Sequence, residues 1–130
     1  MEEKICILLV DDEPDFVEPM SLWLKAKGYS VLVATSGERA IQIIKEQILH
    51  IVFLDIKMPG MDGIEILRRI RQIKQKLPVI IITAYADQEK FSQAQELNVS
   101  GFFDKGADVK ELQNIIDFIL RTYKKVWKKQ

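Results

Sequence analysis

Ile5-Cys6-Ile7-Leu8-Leu9-Val10-Asp11-Asp12 is an unbroken apolar run that closes on two adjacent carboxylates. A second run, Ile51-Val52-Phe53-Leu54-Asp55, closes on a third acid. Short continuous apolar runs rich in β-branched residues read as strands of a parallel sheet covered on both faces. If the two runs are neighbours, three acids converge on one spot. Such a cluster of like charge is costly unless a hard divalent cation sits among them.

Outward from these runs, short β-rich segments alternate with longer segments of helical period. The further strand candidates are Ser30 to Ala34, Val79 to Thr83 and Gly101 to Phe103, with Ile51 to Leu54 as the third in order. The first helix begins near Pro14, a favourable residue in a first turn, and stops at Gly28. The others open with Thr35-x-x-Glu38, Asp62-x-x-Glu65 and Asp108-x-x-Glu111, a spacing that lets cap and acid each satisfy an orphan backbone donor. Pro19 falls inside the first helix, where its missing N–H predicts a bend. Strict βα alternation in one compact chain predicts an α/β, doubly wound, five-stranded parallel sheet.

A chain of 130 residues suits one domain. Nearly half of it is apolar, and 19 basic residues balance 19 acidic ones, so no global charge draws it to nucleic acid or membrane. The lone cysteine, Cys6, lies inside the first run and is expected to be core filler. The opening run is too short for an export signal and ends in acids, and no run approaches a membrane span. The expected setting is a reducing cytoplasm. His50 has no evident partner in the sequence and is taken as structural or solvent-facing, and Trp23, at core-like spacing, as packing.

In a doubly wound sheet, ligands bind beyond the carboxyl ends of the strands, where strand order reverses. At those ends stand Asp11, Asp12 and Glu13 after the first strand, Asp55 after the third, Thr83 after the fourth and Lys105 after the fifth. The second strand contributes only Thr35 and Ser36. The chemistry therefore gathers over strands one, three, four and five, which fits strand order 2-1-3-4-5. Carboxylates suit an octahedral Mg²⁺ that keeps some of its water. Metal, lysine ammonium and threonine hydroxyl together could hold the three oxygens of a phosphoryl group, while one carboxylate oxygen serves as nucleophile.

Over residues 4 to 120 the chain resembles a response-regulator receiver domain of two-component signalling, with the flavodoxin-like fold of that family. The resemblance is carried by Val10-Asp11-Asp12-Glu13-Pro14, by Asp55-Ile56-Lys57-Met58-Pro59-Gly60-Met61-Asp62-Gly63, by Thr83-Ala84 and by Lys105, in that order. It implies Asp55 as phosphoacceptor, with the phosphoryl group delivered by a histidine kinase or a small acyl-phosphate donor. It implies Mg²⁺ held directly by Asp12, mainly through water by Asp11, and with Asp55 and the backbone carbonyl of Lys57 completing the set. Thr83 and Lys105 would bind the phosphoryl oxygens, and Phe102 would be the aromatic switch that moves inward with Thr83. The implied output is a docking surface of the fourth helix, fifth strand and fifth helix, presented to a downstream protein or output domain. Lys57 and Tyr85 would flank the path of hydrolytic water and influence phosphate lifetime.

Two departures from the family pattern stand out: Gly106 follows Lys105 where proline is usual, and Phe102 replaces the frequent tyrosine, so switching must work by packing. One alternative is a degenerate receiver acting as a phosphate-independent binding or dimerisation module. Another is a haloacid-dehalogenase-type phosphatase, but its general acid, two residues after the nucleophile, would fall on Lys57, which cannot serve. The expectation is therefore a switch and not an enzyme, with at most weak autodephosphorylation.

Residues 1–121 are expected to form the receiver domain, with 122–130 a basic extension of the last helix and no separate output domain. Leu112, Ile115, Ile116, Ile119, Leu120, Tyr123 and Trp127 keep helical spacing, and the polar positions turn basic at Arg121, Lys124, Lys125, Lys128 and Lys129. The cations complement the helix dipole. A sharper reading makes Tyr123 and Trp127 a homodimer or partner contact. No basic recognition element for DNA precedes this tail.

Overall fold

The computed structural model describes residues 4–60, 62–84 and 88–127, with side chains as far as residue 123. Five strands, β1 (Cys6–Val10), β2 (Ser30–Ala34), β3 (Ile51–Asp55), β4 (Val79–Thr83) and β5 (Gly101–Asp104), alternate with five helices. The helices are α1 (Pro14–Ala26), α2 (Gly37–Glu46), α3 (Gly63–Ile73), α4 (Gln88–Glu96) and α5 (Val109–Trp127). All strand pairs are parallel and the order is β2-β1-β3-β4-β5, the flavodoxin-like arrangement the alternation predicts. The three most apolar runs take the centre, where β3 and β4 are buried throughout, and the mixed segments β2 and β5 take the edges.

The pleat sorts successive residues to opposite faces. Leu8, Val10, Val52, Leu54 and Ile81 face α2, α3 and α4 through Ile41, Ile44, Ile64, Leu67, Ile70 and Ala94. Ile7, Leu9, Phe53, Ile80 and Ile82 face α1 and α5 through Met20, Leu24, Leu112, Ile116 and Ile119. Trp23 and Tyr123 are partly buried against this second core, and Trp127 keeps its place in α5 with its side chain outside the described residues. Two cores on two faces leave the strand ends as the places where side chains of several strands can meet.

Helix ends explain how the chain enters and leaves those places. α1 continues through Pro19 to Ala26, then stops where Gly28 adopts φ +96°. There the N–H of Tyr29 donates to the Leu24 carbonyl at 3.2 Å and that of Gly28 to the Lys25 carbonyl at 3.0 Å, the paired bonds of a left-handed helix stop. At α2 the cap is Ser36 and not Thr35: the Ser36 hydroxyl accepts from the Arg39 N–H at 3.2 Å. The expected Thr35–Glu38 box is therefore not formed: the cap is one residue later, the third residue after it is Arg39, and Thr35 lies between the end of β2 and the cap. Asp62 caps α3 by accepting from the Ile64 N–H, and Asp108 accepts from the Lys110 N–H at the start of α5.

α4 is the most polar helix, with Ala94 its only buried residue, and side-chain bonds tie its trailing end to the scaffold. The Arg71 guanidinium donates to the carbonyls of Leu97 and Asn98 beyond α4, and to those of Lys74 and Leu77 beyond α3. At the amino end of the sheet His50 is buried and structural. Its Nδ1 accepts from the Cys6 N–H at 2.9 Å while its own N–H donates to the Cys6 carbonyl at 2.9 Å.

Candidate functional site

Register places the charged residues at one level. Val10 pairs with Leu54, and Asp55 with Ile82, so Asp11 follows β1 beside Asp55. Thr83 pairs with Asp104 one step further, and the Lys105 N–H donates to the Thr83 carbonyl at 3.0 Å, fastening the turn after β5 to the end of β4. Asp11 is fully buried, Asp55 and Thr83 are buried, and Asp12 is half-buried.

The Lys105 ammonium is the hub. Nζ lies 2.9 Å from Asp55 Oδ2, 2.8 Å from Asp11 Oδ2 and 2.5 Å from Glu13 Oε1. Asp11 Oδ2 is buried and has this ammonium as its ion-pair partner, with no other polar partner among the described residues. Asp11 Oδ1 accepts from the Glu13 N–H at 3.0 Å, and Asp55 Oδ1 from the Lys57 N–H at 2.9 Å. The Asp55 carboxylate is therefore held by one donor on each oxygen, which fixes its orientation.

Electrostatics follow from this packing. Burial pushes the Asp11 carboxyl above the usual carboxylate range, the Asp55 charge adds to the rise, and the Lys105 ammonium and the Glu13 N–H oppose it. Burial works against the charge on Lys105, yet the surrounding carboxylates of Asp11, Glu13 and Asp55 raise its pKa above the ordinary lysine value. The cluster thus retains its ammonium and still carries an excess of negative charge.

One carboxylate oxygen each from Asp11, Asp12 and Asp55 lie within 4.8 Å of one another, close enough to share one ion. This all-oxygen donor set, in which buried Asp11 Oδ2 has only the Lys105 ammonium as partner among the described residues, fits a hard divalent cation such as Mg²⁺. The segment after Asp55 is shaped for the purpose. A Cβ on Gly63 would come within 2.3 Å of the Ile56 Cα, so only glycine lets α3 start against the backbone beside the acceptor.

The structure thus brings together Asp11, Asp12, Asp55, Thr83 and Lys105. Lys57 is exposed and reaches Asp55 through its N–H. Tyr85 lies outside the described residues. Gly106 donates its N–H to Asp104 Oδ1 at 2.8 Å, and Lys105 reaches Asp55 with glycine in the place of the usual proline. Phe102 is partly buried on β5 and stacks on Phe91 of α4, with ring centroids 3.6 Å apart and planes 17° from parallel.

Three participants were not singled out from the sequence. Glu13 was noted only as a strand-end acid, and its hold on Lys105 crosses from one end of the sequence to the other. Phe16, with its ring centroid 5.0 Å from the Lys105 Nζ, has no place in the sequence reading. Phe91 is the single aromatic of an otherwise polar helix, and that isolation was the available signal.

A family model for the response regulator receiver domain matches residues 7–117. Sporulation initiation phosphotransferase F of Bacillus subtilis is 35% identical over 116 residues, covering 89% of this chain and 92% of that protein. The transcriptional regulatory protein ZraR of Escherichia coli is 32% identical over 115 residues, covering 88% of this chain, which spans only 26% of that longer protein. The fold matches the solved structure of a CheY-like response regulator receiver domain protein from Methanospirillum hungatei with a TM-score of 0.90. That match is 24% identical and covers 95% of this chain and 98% of the other. With the family model spanning most of the chain, and the strand order and strand-end acids in agreement, the chain belongs to the response regulator receiver domain family, the phosphoacceptor modules of two-component signalling.

Proposed function

We propose that Asp55 is the phosphoacceptor and that its phosphorylation switches a protein-docking surface. The observation that carries this reading is the Asp55 carboxylate held between the Lys57 N–H and the Lys105 ammonium, with Asp11 and Asp12 close beside it. One Asp55 oxygen forms a bond to phosphorus as the P–N bond of a kinase phosphohistidine, or the P–O bond of an acyl phosphate, breaks. Asp12, Asp11, Asp55 and the Lys57 carbonyl would hold Mg²⁺, which when bound supplies charge compensation for the phosphoryl oxygens. Lys105 and the Thr83 hydroxyl bind those oxygens in the product.

The added charge draws Thr83 and Lys105 toward Asp55, and Phe102 leaves its stack on Phe91 for the space behind Thr83. Because α4 is polar and pinned at its trailing end by Arg71, the loss of that stack alters the surface of α4, β5 and α5. The partners in this reading are a histidine kinase and a downstream protein or output domain, in the cytoplasm. The protein acts as a switch, with no turnover beyond slow loss of its own phosphate. Exchange of Lys57 or Tyr85 should alter the dephosphorylation rate, and unchanged rates would refute their role.

Residues 1–121 would suffice for the switch, with 122–130 contributing to a homodimer through the last helix. Deleting 122–130 should keep phosphorylation and lower the mass in sedimentation; an unchanged mass would sink the dimer. The phosphoacceptor reading itself is tested by adding beryllofluoride and Mg²⁺ while following amide resonances. Shifts at Lys57, Thr83, Phe102 and Lys105 in the parent, and none in Asp55→Ala, are expected; no shifts in the parent would contradict it.

A further inference from the structure

We infer that the first turn of α1 is a holding site for the Lys105 ammonium, one that competes with the phosphoryl group for this lysine. The inference rests on the reading of Asp55 as acceptor. Glu13 occupies the N-cap position of α1 with extended backbone, φ −91° and ψ 107°, yet its side chain makes no capping bond. Caps are normally short polar residues whose side chains turn back onto the helix. Here the longer side chain reaches away from the helix, to Lys105 Nζ at 2.5 Å. Three residues on, and so on the same helix face, Phe16 presents its ring to the same ammonium at 5.0 Å.

Lys105 touches three carboxylates, and they are not equivalent. Asp11 and Asp55 are the residues on which cation and phosphoryl group would converge, so binding there changes their hold on the lysine. Glu13 stays outside that chemistry. The Lys105 side chain is 9% exposed while that of Glu13 is 59% exposed, so the ammonium is covered from outside by a side chain that can swing into solvent. To meet a phosphoryl oxygen on Asp55, Nζ must loosen its bond to Glu13 and its place over Phe16. The first turn of α1 thereby sets part of the cost of switching, on the face opposite α4.

The test measures beryllofluoride affinity in saturating Mg²⁺, together with the ¹⁵N ammonium resonance of Lys105. Glu13→Gln is expected to bind beryllofluoride about two- to five-fold more tightly, the range of a partly exposed ion pair. The parent should show a slowly exchanging ammonium signal before addition, and Glu13→Gln should lose it. Phe16→Leu, which keeps apolar bulk and removes the ring face, should shift affinity in the same direction by less. Asp15→Asn removes an equal charge from the same turn and should leave both readouts unchanged. Unchanged or weaker affinity in Glu13→Gln would overturn the inference while leaving Asp55 as acceptor. An equal gain in Asp15→Asn would overturn it too, by reducing the effect to net charge. A parent that binds no beryllofluoride would instead remove the Asp55 reading, and the competition with it.

Discussion

The two ends of the β1–β3 pair both bury polar side chains, and they treat them in opposite ways. At the amino end, His50 and Cys6 exchange bonds that use the ring Nδ1 and the backbone groups of both residues. At the carboxyl end, two buried carboxylates must share one ammonium, which is the only partner of Asp11 Oδ2 among the described residues. Satisfied polarity adds to stability, whereas polarity left short of partners is a liability that persists where a ligand is meant to complete it. The difference separates a structural histidine from a site, although both are buried polar groups at strand ends.

The strongest way to break this comparison is His50→Ala. It strands the part-buried Cys6 N–H and removes a buried ring beside β3, so unfolding in urea should show a loss of about 2–3 kcal/mol. Phosphoryl uptake by the folded fraction should be unchanged, and a comparable loss of uptake would mean that the amino end takes part in function. The opposite end should respond with the opposite sign. Asp11→Asn removes a buried charge that burial disfavours and that lies beside the Asp55 carboxylate. In chelator it should gain about 1.5 kcal/mol of stability, while calorimetry should show Mg²⁺ binding greatly weakened; a loss of stability would mean that the Asp11–Lys105 pair is structural.

The smallest effect sharpens the contrast among acids at the same end. Asp62→Ala deletes the α3 cap and should cost about 1 kcal/mol. Because that side chain accepts from Ile64 and not from the site, uptake should persist. A stabilising Asp62→Ala would show that any acid at this end is strained by its neighbours, and the distinction between cap and ligand would fail.

Much of this was legible in the sequence because it depends on one-dimensional order. Apolar runs of strand length, acids at their ends and helix-stop signals such as Gly28 determine a parallel sheet with its chemistry at one end. The strand order drawn from the distribution of those ends is the order observed. The expected strand limits differ slightly because pairing continues into polar residues: Asp55 pairs with Ile82 and Asp104 with Thr83. The shift of the α2 cap from Thr35 to Ser36 is of the same kind, since two adjacent hydroxyl residues are equally plausible caps until the backbone turns.

Contacts across elements were not legible. Glu13 with Lys105, Phe91 with Phe102 and Arg71 with two helix ends join residues whose side-chain directions depend on the assembled layers. Gly63 lies between these cases. Its place in the segment after Asp55 was recognised through the family resemblance, and its physical reason, contact with the Ile56 backbone, needed the fold.

The measurement that bears most directly on the central claim is the intact mass of the protein after incubation with a small phosphodonor, with and without Mg²⁺, beside Asp55→Ala. The account predicts a gain of one phosphoryl group in the parent, dependent on Mg²⁺ and absent from Asp55→Ala. A gain of equal size in Asp55→Ala, or none in the parent at any Mg²⁺ concentration, would contradict it.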